Sequence, residues 1–195
     1  MNVLVACEFS GVVREAFRKR GHDAWSCDIL PAEDGSDYHF KMPIEDILAS
    51  SRLWDLMIAC HPCTDLAVSG AAWFKEKISN GRQQRALDFV QILMDAPIDH
   101  ICIENPISVI SSKIRKPDQI IQPWQFGHET TKATCLWLKN LPKLESADIV
   151  SPGARQYYAS GKSSPMWHAK TGGGSGHKRS ITFQGIADAM AEQWG

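Results

Sequence analysis

Short apolar runs alternate with stretches of helical spacing along this chain, and that alternation sets the expected architecture. Four to eight apolar residues bounded by polar or glycine punctuation read as a buried strand, whereas apolar residues three and four apart read as one face of a helix. Residues 1–7 (MNVLVAC) form the first run, residues 8–13 (EFSGVV) a glycine-containing turn, and a helix follows that ends near Lys19, Arg20 and Gly21. Residues 24–29 form a second strand ending at Asp28, residues 31–42 read as a polar loop, and residues 44–48 as a short helix. The run 54–64 (WDLMIACHPCT) is a third strand. A helix over 83–94, with Ala86, Leu87, Val90, Leu93 and Met94 at helical spacing, feeds a fourth strand over 100–106 (HICIENP). Such alternation implies an α/β fold with a mostly parallel, doubly wound sheet.

Later patterns are less regular. The polar break at 79–81 reads as a mobile loop, 107–121 is mixed around Pro117, and 132–138 is a late strand with partial alternation. Residues 145–180, with a glycine run at 172–176, have the composition of long surface loops. Ile186, Ala187, Met190 and Trp194 restore helical spacing and predict a final helix packing back onto the sheet.

Composition narrows this further. With 195 residues, 44% of them hydrophobic, the chain suits one domain over 1–195. Lys and Arg number 21 against 22 Asp and Glu, so a polyanion site must be a local patch. Six cysteines, at 7, 27, 60, 63, 102 and 135, lie mostly within apolar runs, and no signal peptide is recognisable, so reduced thiols and a cytoplasmic location are expected. No apolar stretch approaches the roughly 18 residues of a membrane helix.

The candidate chemistry lies at strand ends, where open α/β sheets place their sites. Cys63 ends one run and Glu104-Asn105 another; a thiol and a carboxyl in one pocket suit covalent catalysis with proton donation. The turn Phe9-Ser10-Gly11, with Asp28 about twenty residues on, resembles the opening of a nucleotide-binding unit, although Asp28 also reads as a turn residue. Cys60-His61-Pro62-Cys63 is also a C-x-x-C, open to a thiol–disulfide redox pair. As a zinc site it lacks a second ligand pair, so no metal is expected. Trp73, Trp124 and Trp167 suit base stacking or plain packing, and His168, His177, Lys178 and Arg179 suit phosphate contacts or a solvated loop.

Together, Phe9-Ser10-Gly11, Asp28, Pro62-Cys63, Glu104-Asn105-Pro106, Phe126-Gly127 before Lys132-Ala133-Thr134, and the late Gln184-Gly185 resemble the cytosine-5 DNA methyltransferases, in particular the short phage- and prophage-borne type. The resemblance covers nearly the whole chain. It implies the Rossmann-like fold of S-adenosylmethionine-dependent methyltransferases. It implies that Cys63 attacks carbon 6 of cytosine, that Glu104 hydrogen-bonds the ring and supplies a proton, and that Asn105 holds the loop. Phe9, Ser10, Gly11, Asp28, Pro62 and Gly185 would hold S-adenosylmethionine; Lys132 and Thr134, with Lys178 and Arg179, would contact DNA, either duplex with base flipping or single-stranded. The chain departs from the pattern at Val12-Val13, where a second glycine is usual, at Met42-Pro43, where a cofactor-binding acid is usual, at His61, where proline or another small residue is usual, and at Asp65. About thirty-five loop-like residues stand in place of a target-recognition domain. The rival to an enzyme is an inactive relative that binds nucleic acid or protein.

Overall fold

The computed structural model describes residues 1–161, 163–166 and 176–195. Seven strands form one sheet: β1 (Asn2–Ala6), β2 (Asp23–Asp28), β3 (His39–Lys41), β4 (Leu56–Ala59), β5 (His100–Pro106), β6 (Gln119–Ile121) and β7 (Thr134–Lys139). Their spatial order is β3-β2-β1-β4-β5-β7-β6. The first five pair in parallel, and β7 runs antiparallel to both β5 and β6.

The continuous apolar runs follow from burial on both faces. Val3 and Val5 point into one core with Phe17, Ile186, Met190 and Trp194, whereas Leu4 and Ala6 point into the other with Ile44, Ile47, Leu87, Val90 and Leu93. Helix α1 (Val12–Lys19) and the C-terminal helix cover the first face; α2 (Ile44–Leu48) and α4 (Arg82–Met94) cover the second. Each fully buried aliphatic or aromatic side chain contributes roughly 1.5–3 kcal/mol, so a polar residue at positions 3–6 of β1 or along β4 would be costly. The partial alternation of β7 has the same cause: residues 134–137 are all buried.

Three expectations need correction. The polar segment 31–42 is not all loop, since β3 pairs with β2 at the sheet edge. The break at 79–81 is a tight turn between α3 (Phe74–Ser79) and α4, with Gly81 at φ 75°. Within 145–180, β8 (Arg155–Tyr157) and β9 (Ser163–Pro165) form an antiparallel hairpin after the short helix α5 (Ile110–Lys113) and strands β6 and β7, and Gly176–Ser180 forms the short helix α6. Residues 172–175 of the glycine run, Trp167 and His168 lie outside the described residues.

The C-terminal helix, α7 (Gln184–Gln193), returns to the sheet as its spacing predicts, and Trp194 is buried. Gly185 permits this docking. A Cβ there would lie 1.9 Å from the Phe126 carbonyl oxygen, and the Gly185 N–H donates to His128 Nε2 at 2.9 Å. Strand order reverses between β1 and β4, so the carboxyl ends of those strands flank the crevice where doubly wound sheets bind ligands.

Candidate active site

The tips of β4 and β5 bring the thiol and the carboxyl together. The two strands pair in register to Ala59 opposite Ile103, so Cys60 and Glu104 leave the ladder side by side. The chain then turns at Cys63, whose carbonyl accepts from the Leu66 and Ala67 N–H groups at 3.1 and 2.9 Å. Asn105, fully buried, donates through Nδ2 to the His61 carbonyl at 3.3 Å and ties the end of β5 to this loop. His61 is itself buried, and desolvation pushes its pKa down to about 4. Among the described residues its Nε2 and Asn105 Oδ1 have no hydrogen-bond partner.

Burial disfavours the charged form of both reactive groups. The Glu104 carboxyl is raised above its ordinary range by desolvation, opposed by the Lys132 charge and by the Thr134 hydroxyl, which also lies 3.2 Å from the Lys132 carbonyl. Cys63, half-buried, is raised by desolvation and then by the Glu104 charge, while Lys132 and Arg179 pull it down. The four side chains of Cys63, Glu104, Lys132 and Arg179 therefore share one electrostatic neighbourhood. A carboxyl whose pKa is raised beside a thiol suits proton donation to a ring whose carbon the sulfur attacks.

Cys60 is in a different position. Its sulfur lies 3.8 Å from Thr182 Oγ1, and burial holds its thiol well above the ordinary value. A C-x-x-C redox pair works by lowering one thiol's pKa; here both move upward.

The turn after β1 is built on charges the apolar pattern does not reveal. Glu8 is buried, and its carboxylate accepts from the Val13 N–H at 2.7 Å, the Arg14 N–H at 3.2 Å and the Ser10 hydroxyl at 3.2 Å. It caps the amino end of α1, where an external anion would otherwise bind. Burial still raises its pKa, against the pull of those hydrogen bonds. The fully buried Arg14 side chain donates to Ser26 Oγ at 2.8 Å and to the Asp34 carboxylate, and Ser26 Oγ meets His39 Nδ1 at 2.8 Å. Gly11 has φ 77°, and a Cβ there would overlap both Arg14 and Asp34. This packing demands glycine at position 11 and leaves room for Val12 and Val13 on the helix that follows. Asp28 stands at the end of β2, and its Oδ1 accepts from the Leu30 N–H at 2.9 Å. That is a turn contact and leaves its second oxygen for another partner.

The crevice between the β1 and β4 tips is lined by Cys7, Glu8, Phe9, Ser10 and Cys60 on one side and Ser180 to Thr182 on the other, around a cavity of about 40 Å³. His177 of α6 lies above it. Its ring stacks on Phe9 with centroids 5.0 Å apart and planes 24° apart, and its Nε2 is 2.6 Å from Glu33 Oε1. Phe9 thus offers a face, and Glu33 an acceptor, to a planar ring bearing an N–H. Those are contacts an adenine can use, and in this structure the His177 ring occupies them.

Of the other sequence candidates, Pro62 borders the Cys63 loop, and Lys132 Nζ sits 5.7 Å from the centre of the Phe183 ring. Gly185 packs α7 on Phe126, as described above. Arg179 faces Cys63 electrostatically, whereas the Lys178 side chain lies outside the described residues. Trp54, Trp137 and Trp194 are buried packing residues, and Trp73 is 63% exposed. Glu8, Arg14 and Glu33 escaped the sequence reading. Glu8 and Arg14 carried one signal, charge beside the glycine-containing turn, and Glu33 lay unmarked within a polar segment.

Neither a protein-family profile nor a curated protein matches this chain. Solved structures do match. One of them, a candidate DNA modification methyltransferase encoded within an Escherichia coli prophage, superposes with a TM-score of 0.54 at 14% identity over 77% of this chain. The match covers 52% of that chain, so the present sequence spans about half of its neighbour's length. The seven-stranded, mostly parallel sheet with flanking helices is a Rossmann-like fold, which this chain shares with that neighbour.

Proposed function

We propose that the protein transfers a methyl group from S-adenosylmethionine to carbon 5 of cytosine in DNA through a covalent adduct on Cys63. The observation that carries this reading is the partly buried Glu104 carboxyl, its pKa raised by desolvation and its charge coupled to the Cys63 thiol at the next strand tip. The DNA substrate is supported by the description of the structural neighbour.

Carbon 5 of cytosine is a poor nucleophile. The Cys63 sulfur, as thiolate, bonds to carbon 6 while Glu104 gives its proton to ring nitrogen 3, and the resulting enamine places electron density on carbon 5. S-adenosylmethionine, when bound, supplies an electrophilic methyl group. After transfer, water takes the carbon 5 proton, the electron pair of that bond forms the carbon 5–carbon 6 double bond and expels the Cys63 thiolate, and nitrogen 3 returns its proton to Glu104. Lys132 and Arg179 favour the thiolate. Phe9, Ser10, Gly11 and Asp28 would hold the cofactor, with Glu33 as a further acceptor. Carbon 6 is inaccessible within a duplex, so duplex DNA would have to present the base flipped out.

Replacing the nucleophile tests this. Cys63→Ser is expected to abolish methyl transfer with the fold intact, and the wild-type protein to form a denaturation-resistant adduct with an oligonucleotide containing 5-fluorocytosine. Cys60→Ser should retain activity. Undiminished transfer by Cys63→Ser would overturn the assignment, and calorimetry with S-adenosylmethionine separates the enzyme from a non-catalytic nucleic-acid-binding relative.

A further inference from the structure

The larger cavity lies behind the Cys63 loop and is used by nothing described so far. It measures about 380 Å³ and is walled by Pro62, Thr64 and Asp65 from the loop and by Arg82, Arg85 and Phe89 from the first turns of α4. That volume falls within the roughly 300–1,000 Å³ of sites for small organic ligands.

Three of its walls come from one helical face, since residues 82, 85 and 89 are three and four apart. Arg82 Nη2 lies 2.9 Å from Asp65 Oδ1, and Lys77 Nζ lies 3.7 Å from the same oxygen. Both contacts are ion pairs, and the Arg82 side chain stays largely exposed at 45%. Arg85 is exposed, and the one hydrogen bond of its side chain among the described residues is a long contact of 3.4 Å to the Asn80 carbonyl. Two guanidinium groups against one carboxylate favour an anion. Half-buried Phe89 adds an aromatic surface beside them. A phosphate joined to a planar base combines the two features.

Position identifies which nucleotide. Cys63 stands between two wall residues, Pro62 and Thr64, each about 3.8 Å away along the chain. Cys63 itself does not line the cavity, but the loop that carries it forms one wall, so the cavity adjoins the place where a strand would present a base to Cys63. We propose that this cavity binds the nucleotide adjoining the target cytosine on the same strand, its phosphate on Arg85 and Arg82 and its base against Phe89. The identity of the target rests on the methyl-transfer reading, whereas the binding site is testable without it.

The experiment is fluorescence anisotropy with a labelled single-stranded hexanucleotide containing one cytosine, titrated at several salt concentrations. Arg85→Gln should weaken binding about five- to tenfold and lower the log–log salt slope by about 0.7, the value of one phosphate contact on a single strand. Phe89→Leu should weaken it at least about fivefold through lost stacking, with little change in salt slope. Wild-type affinities and slopes in both variants, or no binding by the wild-type protein, would overturn the proposal. Methylation of the same oligonucleotide is measured in parallel. A wild type that binds without methylating refutes the enzymatic reading, and the site is then judged on the Arg85→Gln ratio.

Discussion

Glu104 and Cys63 oppose each other through a single charge, which makes their coupling measurable. An ionised Glu104 raises the Cys63 thiol, and Lys132 lowers it. Glu104→Gln should therefore speed alkylation of Cys63 at neutral pH and shift the pH midpoint down, while Lys132→Ala should shift it up. Methyl transfer by Glu104→Gln should fall about 10²- to 10⁴-fold, the usual worth of a positioned proton donor. Because unfolding would also expose the half-buried thiol and speed its alkylation, the rates are read together with a melting temperature and circular-dichroism spectrum, which should match the wild type. His61 allows a stability test. Its folded pKa of about 4 lies below the ordinary value near 6.5, so the unfolded chain takes up the proton first as pH falls. The stability contributed by neutral His61 is present above pH about 6.5 and is lost between there and about 4, on the order of 3 kcal/mol. Denaturant melts of wild type and His61→Gln across that range should converge toward low pH; parallel curves would contradict the burial. Cys63 and Glu104 were legible because each interrupts an apolar run. Glu8 and Arg14 were not, since nothing local shows that a charged residue is buried and paired across the fold.

At the scale of elements, the strands and helices with a full period stood out in the sequence, and the short ones did not. β1, β4, β5, α4 and the C-terminal helix each bury enough residues to impose a pattern, whereas β3, β8 and β9 have three residues each, too few to show alternation. Helix α6 was hidden for another reason: its position depends on His177 meeting Phe9 and Glu33, both far away in sequence. The same contacts give it a measurable consequence. The imidazole occupies the face of Phe9 on which an adenine would stack, so His177→Ala should bind S-adenosylmethionine more tightly, by about two- to tenfold, since a stacked ring pair is worth roughly 0.5–1.5 kcal/mol. Calorimetry checks this, and weaker binding by the variant would show that His177 instead belongs to the cofactor site.

Across the whole molecule, the sheet positions the proposed chemistry, and the described residues offer little surface for reading DNA. In place of a large recognition domain, the segment before α6 supplies the β8–β9 hairpin, whose Arg155 donates to Thr131 Oγ1 at 3.0 Å, next to Lys132, and whose Tyr157 is 75% exposed. A specific DNA-binding module usually buries roughly 600 to 1,000 Å², and a hairpin of two three-residue strands falls short of that. Such a hairpin can offer an aromatic face and a few cations, which suits stacking on an unpaired strand better than reading several base pairs in a groove. Any methylation should therefore show a context of at most about two or three bases, proceed on single-stranded DNA at least as well as on duplex, and fall steeply with salt because exposed cations such as Arg179 supply the phosphate contacts. Tyr157→Ala should weaken single-strand binding by about 1–3 kcal/mol if a base stacks there. Bisulfite sequencing of duplex and single-stranded DNA after incubation with protein and S-adenosylmethionine decides the matter. Methylation confined to a duplex site of about four to six base pairs would refute loose recognition and would require a second copy or another chain to complete the reading surface.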